Sequence, residues 1–228
     1  KNKTKFLRSI RSTAELYLAL ILNISRNIPA AINDVRNGNW HRDSFIGNNL
    51  FKKKIGILGL GRNGSILASY CKKMGMNVCY YDNNVQNKLY KKFKNLENFL
   101  KNLDYIAICI NYSADNHKII NKKFLNLLPK YNYFINCSRG EVVCERSLLA
   151  HLKGNKIRGA AIDVMHNEQY LNKSNPLIKY SKKNNNLIIT PHLGGATIES
   201  WHATEEFIAN FFIKYVKKKK NILIQHIS

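Results

Sequence analysis

Three residues of different chemistry stand in short polar motifs, each following an apolar run. Arg139 lies in Asn136-Cys137-Ser138-Arg139-Gly140-Glu141, Glu168 in Asp163-Val164-Met165-His166-Asn167-Glu168, and His192 in Pro191-His192-Leu193-Gly194-Gly195-Ala196-Thr197. A guanidinium fork suits planar, two-point contact with an anionic group. An imidazole can give or take a proton near neutral pH, and a carboxylate can orient that imidazole. Each residue also has a plainer reading. Arg139 could pair with Glu141, Glu168 could be an exposed loop carboxylate, and His192 could be a satisfied loop histidine. The chemical reading gains weight only if one framework brings all three to the same place.

A fourth motif suggests that framework. Gly59-Leu60-Gly61-Arg62-Asn63-Gly64 is a GxGxxG sequence. By itself it is a weak signal. Here it follows the apolar run at 54–58, opens a helical pattern at 63–74, and precedes a second apolar run at 77–81 that ends in Asp82. In that context Gly59 permits a tight turn, Gly61 lets backbone approach a pyrophosphate, and Gly64 lets helix and strand pack closely. The free N–H groups near Arg62 and Asn63 offer partial positive charge to phosphates. Asp82 stands where a carboxylate can accept hydrogen bonds from ribose hydroxyls. That favours NAD over NADP, because a 2′-phosphate would meet a like charge.

These residues need elements to carry them. The spacing predicts a helix over 13–37, opened by Ser12 as N-cap and Glu15 in a capping box. Strands are expected at 54–58, 77–81, 105–110, 133–136, 157–164 and 187–190. Helices are expected at 63–74, 96–101, 122–128, 145–153 and 197–218, with Gly154 ending the fourth. Residues 182–186 read as a surface loop and 217–220 as a solvated helix end. Nearly continuous apolar strands alternating with helices predict an α/β fold: a Rossmann-type doubly wound parallel sheet with flanking helices. Ligands of such sheets bind outside the carboxyl ends of the strands, which is where all the polar motifs fall.

The chain has 228 residues, enough for one large domain or two small ones, and 45% of them are hydrophobic, which excludes disorder throughout. It begins at Lys1 rather than Met, which suggests part of a longer polypeptide. Lys and Arg number 37 against 14 acids, a net charge of +23. Such charge invites a nucleic-acid reading, but no helix-turn-helix, RNP-like or zinc motif supports it, and the abundance of Lys, Asn, Ile, Tyr and Phe fits an AT-rich coding bias. No nucleic-acid partner is expected. The five cysteines, an odd number without a CxxC pair, read as reduced thiols, and no metal site is expected. The basic start and the apolar run at 16–22 mimic a signal peptide, but Glu15 leads into the run and no small-residue cleavage site follows. A buried helix, a cytoplasmic location and no membrane partner are expected.

With these motifs in order, the chain resembles the NAD-dependent D-isomer-specific 2-hydroxyacid dehydrogenases, and most of all their D-3-phosphoglycerate dehydrogenase-like members. The resemblance runs from Ser12-Thr13-Ala14-Glu15 through the last long helix. It implies NAD as cofactor and a small D-2-hydroxy acid or 2-oxo acid as substrate, possibly resembling 3-phosphoglycerate. Arg139 would bind substrate, His192 would be the acid–base, and Glu168 would orient His192. Asp163 would contact the nicotinamide carboxamide, and the backbone around Cys137 and Gly195 would line the pocket. It also implies a homodimer built around the helix at 13–37 and the Trp40 arm. In domain terms, residues 1–12 would link from a substrate domain whose front part is absent, 13–218 would be the NAD-binding domain with its crossing helices, and 219–228 would lead back to the substrate domain. Such a piece alone should bind NAD but turn over poorly. Met165 stands where the family usually has Phe, Gln169 where it usually has Pro, and the stretch from Glu168 to His192 is slightly long. A glutamate at 168 also argues against the related formate dehydrogenases, which place Gln there. A different class remains open: a non-catalytic NAD-sensing or interaction protein on the same scaffold.

Overall fold

The computed structural model describes residues 6, 7 and 9–225, the last of these from 217 on as backbone alone. The expected link at 1–12 and tail at 219–228 lie partly outside the described residues. The chain divides into two compact units, one through Gly194 and one from Gly195.

The first unit is a seven-stranded, wholly parallel sheet. Its strands are β1 (Lys54–Leu58), β2 (Asn77–Tyr81), β3 (Lys91–Phe93), β4 (Tyr105–Ile108), β5 (Tyr133–Asn136), β6 (Gly159–Ile162) and β7 (Leu187–Ile189), in the order β3-β2-β1-β4-β5-β6-β7. The order reverses between β1 and β4, which makes the crevice at their carboxyl ends the switch point of a doubly wound sheet. The central strands β4, β5 and β6 are buried along their whole length because both faces are covered. Tyr105, Ala107, Tyr133 and Ile135 join one core cluster with helices α1 (Ser12–Ser25) and α3 (Arg62–Lys73). Ile106, Ile108 and Phe134 join the other, against Phe99, Phe124, Leu148, Leu152 and Leu177. Those five belong to α4 (Leu96–Leu100), α5 (Lys122–Leu125), α6 (Glu145–Lys153) and α7 (Pro176–Ser181). A one-residue slip of any central strand would exchange the two clusters, so the register is strongly set.

Several expectations need correction. The helix expected over 13–37 is broken: α1 ends at Ser25, Asn27 takes a left-handed conformation (φ 52°), and α2 (Ile28–Arg36) restarts with Pro29 in its first turn. The proline ring fits a first turn but not a helix interior. The capping box does not form either. Arg11 holds the cap position of α1 without a side-chain cap bond, and Ser12 is already helical and buried. A tertiary bond stands nearby instead, from the Thr13 hydroxyl to the Gly194 carbonyl at 2.8 Å. Helix α6 does end at Gly154, but that glycine has φ −83°, and Asn155 takes the left-handed turn (φ 49°). Strand β3 and helix α7 carry no strong apolar pattern in the sequence. Both are held by packing, with α7 capped by the Asn175 side chain at the N–H groups of Leu177 and Ile178.

The second unit is α8 (Ile198–Gln225), which starts beside the Thr197 hydroxyl accepting from Ser200 N at 3.1 Å. Lys217–Lys220 therefore stand inside this helix rather than at its end, and their side chains lie outside those described. Among the described residues no helix is long and apolar enough to cross a membrane.

Candidate active site

The glycine motif occupies the β1–α3 turn. Gly59 has φ 91°, a region open to glycine, and a Cβ there would stand 2.9 Å from the Cys109 carbonyl oxygen on β4's exit. A Cβ on Gly64 would overlap the Gly59 carbonyl. Gly61 differs: nothing lies within 4 Å of where its Cβ would be. It is exposed, it caps α3, and no side chain caps that helix start. Arg62 and Asn63 form the first turn, so their N–H groups and the helix dipole face open space. The Arg62 side chain turns back to the carbonyls of Leu7 and Ile10 at 2.9 and 3.4 Å. A tightly built turn leading to the unobstructed Gly61 and an uncapped helix start has the donor chemistry a pyrophosphate needs.

Asp82, at the exit of β2, does more than the sequence suggested. It accepts from Leu60 N at 2.7 Å and from Asn84 N and Val85 N at 2.8 Å each. Three of roughly four acceptor sites are used, which leaves one for a ribose hydroxyl. Partial burial pushes its carboxyl up, but the three N–H donors and Lys92 outweigh that and hold it below the usual range.

The second half of the sheet carries the other side chains. His192 Nδ1 meets Glu168 Oε2 at 2.6 Å, and the other oxygen, Oε1, accepts from Met165 N at 3.0 Å. The carboxylate is thus fixed by backbone while it fixes the ring. Its partner is about half-exposed, with 47% of the His192 side chain accessible. His192 has φ 56°, a left-handed conformation uncommon outside glycine. Arg139 is exposed and donates to the Ser138 carbonyl at 2.7 Å. None of the ion pairs among the described residues joins it to Glu141. The loop carrying Arg139 lies hard against the one carrying Glu168: a Cβ on Gly140 would overlap the Met165 carbonyl group.

Asp163 and Cys137 are both buried. Asp163 is 1% exposed, and its carboxylate accepts from Thr190 Oγ1 at 2.6 Å, Leu193 N at 2.7 Å and Gly194 N at 2.8 Å. Cys137 is buried in the core, where burial pushes its thiol well up. Only its backbone is left to serve the strand end. The other buried thiols behave alike, Cys71 pushed up to about 12 and Cys79 to about 11 by burial. Gly195 opens the second unit, with nothing within 4 Å of its Cβ position.

Two supporting residues escaped the sequence reading. Asn136 is 1% exposed; its amide oxygen accepts from Ser138 N and Oγ at 3.0 and 2.7 Å, and its nitrogen donates to the Arg139 carbonyl at 3.1 Å. Thr190 holds Asp163. Both are single polar residues closing apolar strand runs, and that was the available signal.

Comparison with known proteins agrees with this geometry. The family described as D-isomer specific 2-hydroxyacid dehydrogenase, NAD binding domain, matches residues 18–194. The chain is 32% identical over 215 residues to a glyoxylate reductase of Pyrococcus horikoshii, covering 90% of this chain and 63% of that protein. It is 32% identical over 211 residues to the D-3-phosphoglycerate dehydrogenase of Methanocaldococcus jannaschii, covering 90% and 39%. The D-lactate dehydrogenase of Aquifex aeolicus, solved with NAD and lactic acid, superposes with a TM-score of 0.83 at 26% identity, covering 92% of this chain and 68% of that one. The chain therefore spans less than two thirds of the length of the two curated relatives.

Proposed function

This chain belongs to the D-isomer specific 2-hydroxyacid dehydrogenase family, with NAD as its cofactor, and we propose that it supplies the reacting residues of an enzyme interconverting a small D-2-hydroxy acid and the 2-oxo acid. The observation that carries this reading is the His192–Glu168 bond at 2.6 Å, with Glu168 itself anchored by Met165 N.

Gly59, Gly61, Arg62, Asn63 and Gly64 hold the pyrophosphate through backbone, and Asp82 takes a ribose hydroxyl. When bound, the nicotinamide gives or accepts the hydride. Arg139 binds the substrate carboxylate and carbonyl oxygen with its planar fork. Glu168 accepts from Nδ1–H, which leaves Nε2 to exchange a proton with the substrate oxygen. In reduction, Nε2 delivers that proton to the carbonyl oxygen; in oxidation, it withdraws it from the hydroxyl. A phosphorylated substrate is compatible with the abundant surface lysines.

The finer parts of the reading follow. Residues 1–12 and 219–228 connect 13–218 to a substrate domain, so the 228-residue chain binds NAD but turns over poorly. Exposed Ile32, Val35, Trp40 and Ile46 on α2 and the following arm form the homodimer contact. Five free cysteines suit a reducing cytoplasm. The test follows NADH oxidation across a panel of 2-oxo acids, with this chain and with the longer polypeptide that contains it. Turnover by the longer form is expected. NADH binding without turnover on any acid would leave the non-catalytic alternative standing.

A further inference from the structure

We propose that Asp163 and Thr190 form a buried latch that holds His192 in its working conformation, so that both are positioning residues for the reaction proposed above. Bonds reach Asp163 from both sides of the histidine. Its carboxylate accepts from Thr190 Oγ1 at 2.6 Å, two residues before His192, and from Leu193 N and Gly194 N at 2.7 and 2.8 Å, directly after it. Its main-chain carbonyl accepts from His192 N at 2.8 Å, a donor shared with the Thr190 carbonyl at 3.1 Å. The segment is pinned again where the Thr13 hydroxyl donates to the Gly194 carbonyl at 2.8 Å.

This clamp explains a conformation that local preference does not. His192 has φ 56°, sparsely populated for a residue with a Cβ, and such geometry persists only where surroundings over-determine it. The latch sets the backbone from which the ring projects, and Glu168 sets the ring's direction. Asp163 is 1% exposed, and both of its oxygens accept from donors of the loop that carries His192. Gly194 also has to come close: a Cβ there would stand 3.2 Å from Asp163 Oδ2.

The test uses Thr190→Val, which keeps the shape and deletes the donor, Thr190→Ser, which restores it, and Asp163→Asn as a second route. One readout needs no turnover: the imidazole Cε1–H resonance of His192 in the 228-residue chain, identified by its disappearance in His192→Gln. A single sharp signal is expected in wild type and Thr190→Ser, and a broadened or doubled one in Thr190→Val and Asp163→Asn. The other readout is kinetic, in the longer polypeptide. Thr190→Val should lower kcat by about 10- to 100-fold, in line with a displacement near 1 Å, while the KM for NADH stays within about twofold and Ser restores the rate. The latch is overturned if Thr190→Val leaves both the resonance and kcat unchanged. It is also overturned if Asp163→Asn weakens NADH binding while the His192 resonance stays sharp, because Asp163 would then serve the cofactor. If wild type oxidises no NADH with any acid, the proposed reaction fails, and the resonance still decides the latch.

Discussion

The two halves of the sheet solve the problem of holding a ligand in opposite ways. Around β1, β2 and β4 the groups offered are backbone: a glycine turn, an uncapped helix start and the space beside Gly61, with Asp82 tying the turn to β2. Around β5, β6 and β7 the groups offered are side chains: Arg139 on a loop braced by Asn136, Glu168 held by the Met165 N–H, and His192 on a loop braced by Asp163. Backbone donors are aimed by chain path alone, so a short motif suffices. Side chains must be aimed by neighbours, so Asn136, Asp163 and Thr190 are needed behind them. The first half should therefore govern affinity for NAD and the second half turnover.

The largest test of that division is His192→Ala. Turnover in the longer polypeptide should fall on the order of 10²–10⁴-fold, while NADH affinity, followed by fluorescence titration, holds. A parallel loss of affinity would break the division. Next comes Arg139→Gln, which removes a charge-assisted fork and should lower kcat/KM for the 2-oxo acid by about 10- to 100-fold, again with NADH binding preserved. The converse is Asp82→Ala. NAD should bind about tenfold more weakly, with kcat at saturating cofactor nearly intact.

Asp82 also predicts a pH effect. Its folded-state carboxyl lies below the usual value, so its contribution is fully present above the unfolded carboxyl's pKa and is lost as pH falls through the folded one. Thermal melts between about pH 5 and pH 2 should show wild type losing more stability than Asp82→Asn. Parallel curves would show that the three N–H bonds do not favour the charged form. The smallest effect belongs to Asn121→Ala, where the lost cap on Lys123 N and Phe124 N should cost about 1 kcal/mol in a thermal melt.

Legibility in the sequence follows the same line. Strand β5 and helix α6 match their expected limits because their apolar patterns end in sharp polar or capping signals. Strand β3 is three residues, Lys91-Lys92-Phe93, paired only along one edge, and nothing local distinguishes it from a loop. The break between α1 and α2 has a local signal in Pro29, whose ring fits a first helical turn but not a helix interior. At the site, the residue types were legible and their distances were not. The family resemblance implies a cofactor contact for Asp163, and its 1% exposure and three loop donors are features that only the structure supplies.

The sequence by itself determined the parallel α/β class and the glycine turn of an NAD-binding domain. Apolar periodicity and a glycine spacing are local properties, and they carry that much. Tertiary structure decided the rest: that Glu168, 24 residues before His192 in the chain, meets it at 2.6 Å, that Gly140 must lack a side chain against Met165, and that a buried carboxylate holds a histidine in a left-handed turn. Those outcomes depend on how three separate strand exits come together, and a parallel sheet sets that register across stretches of chain that share no local pattern.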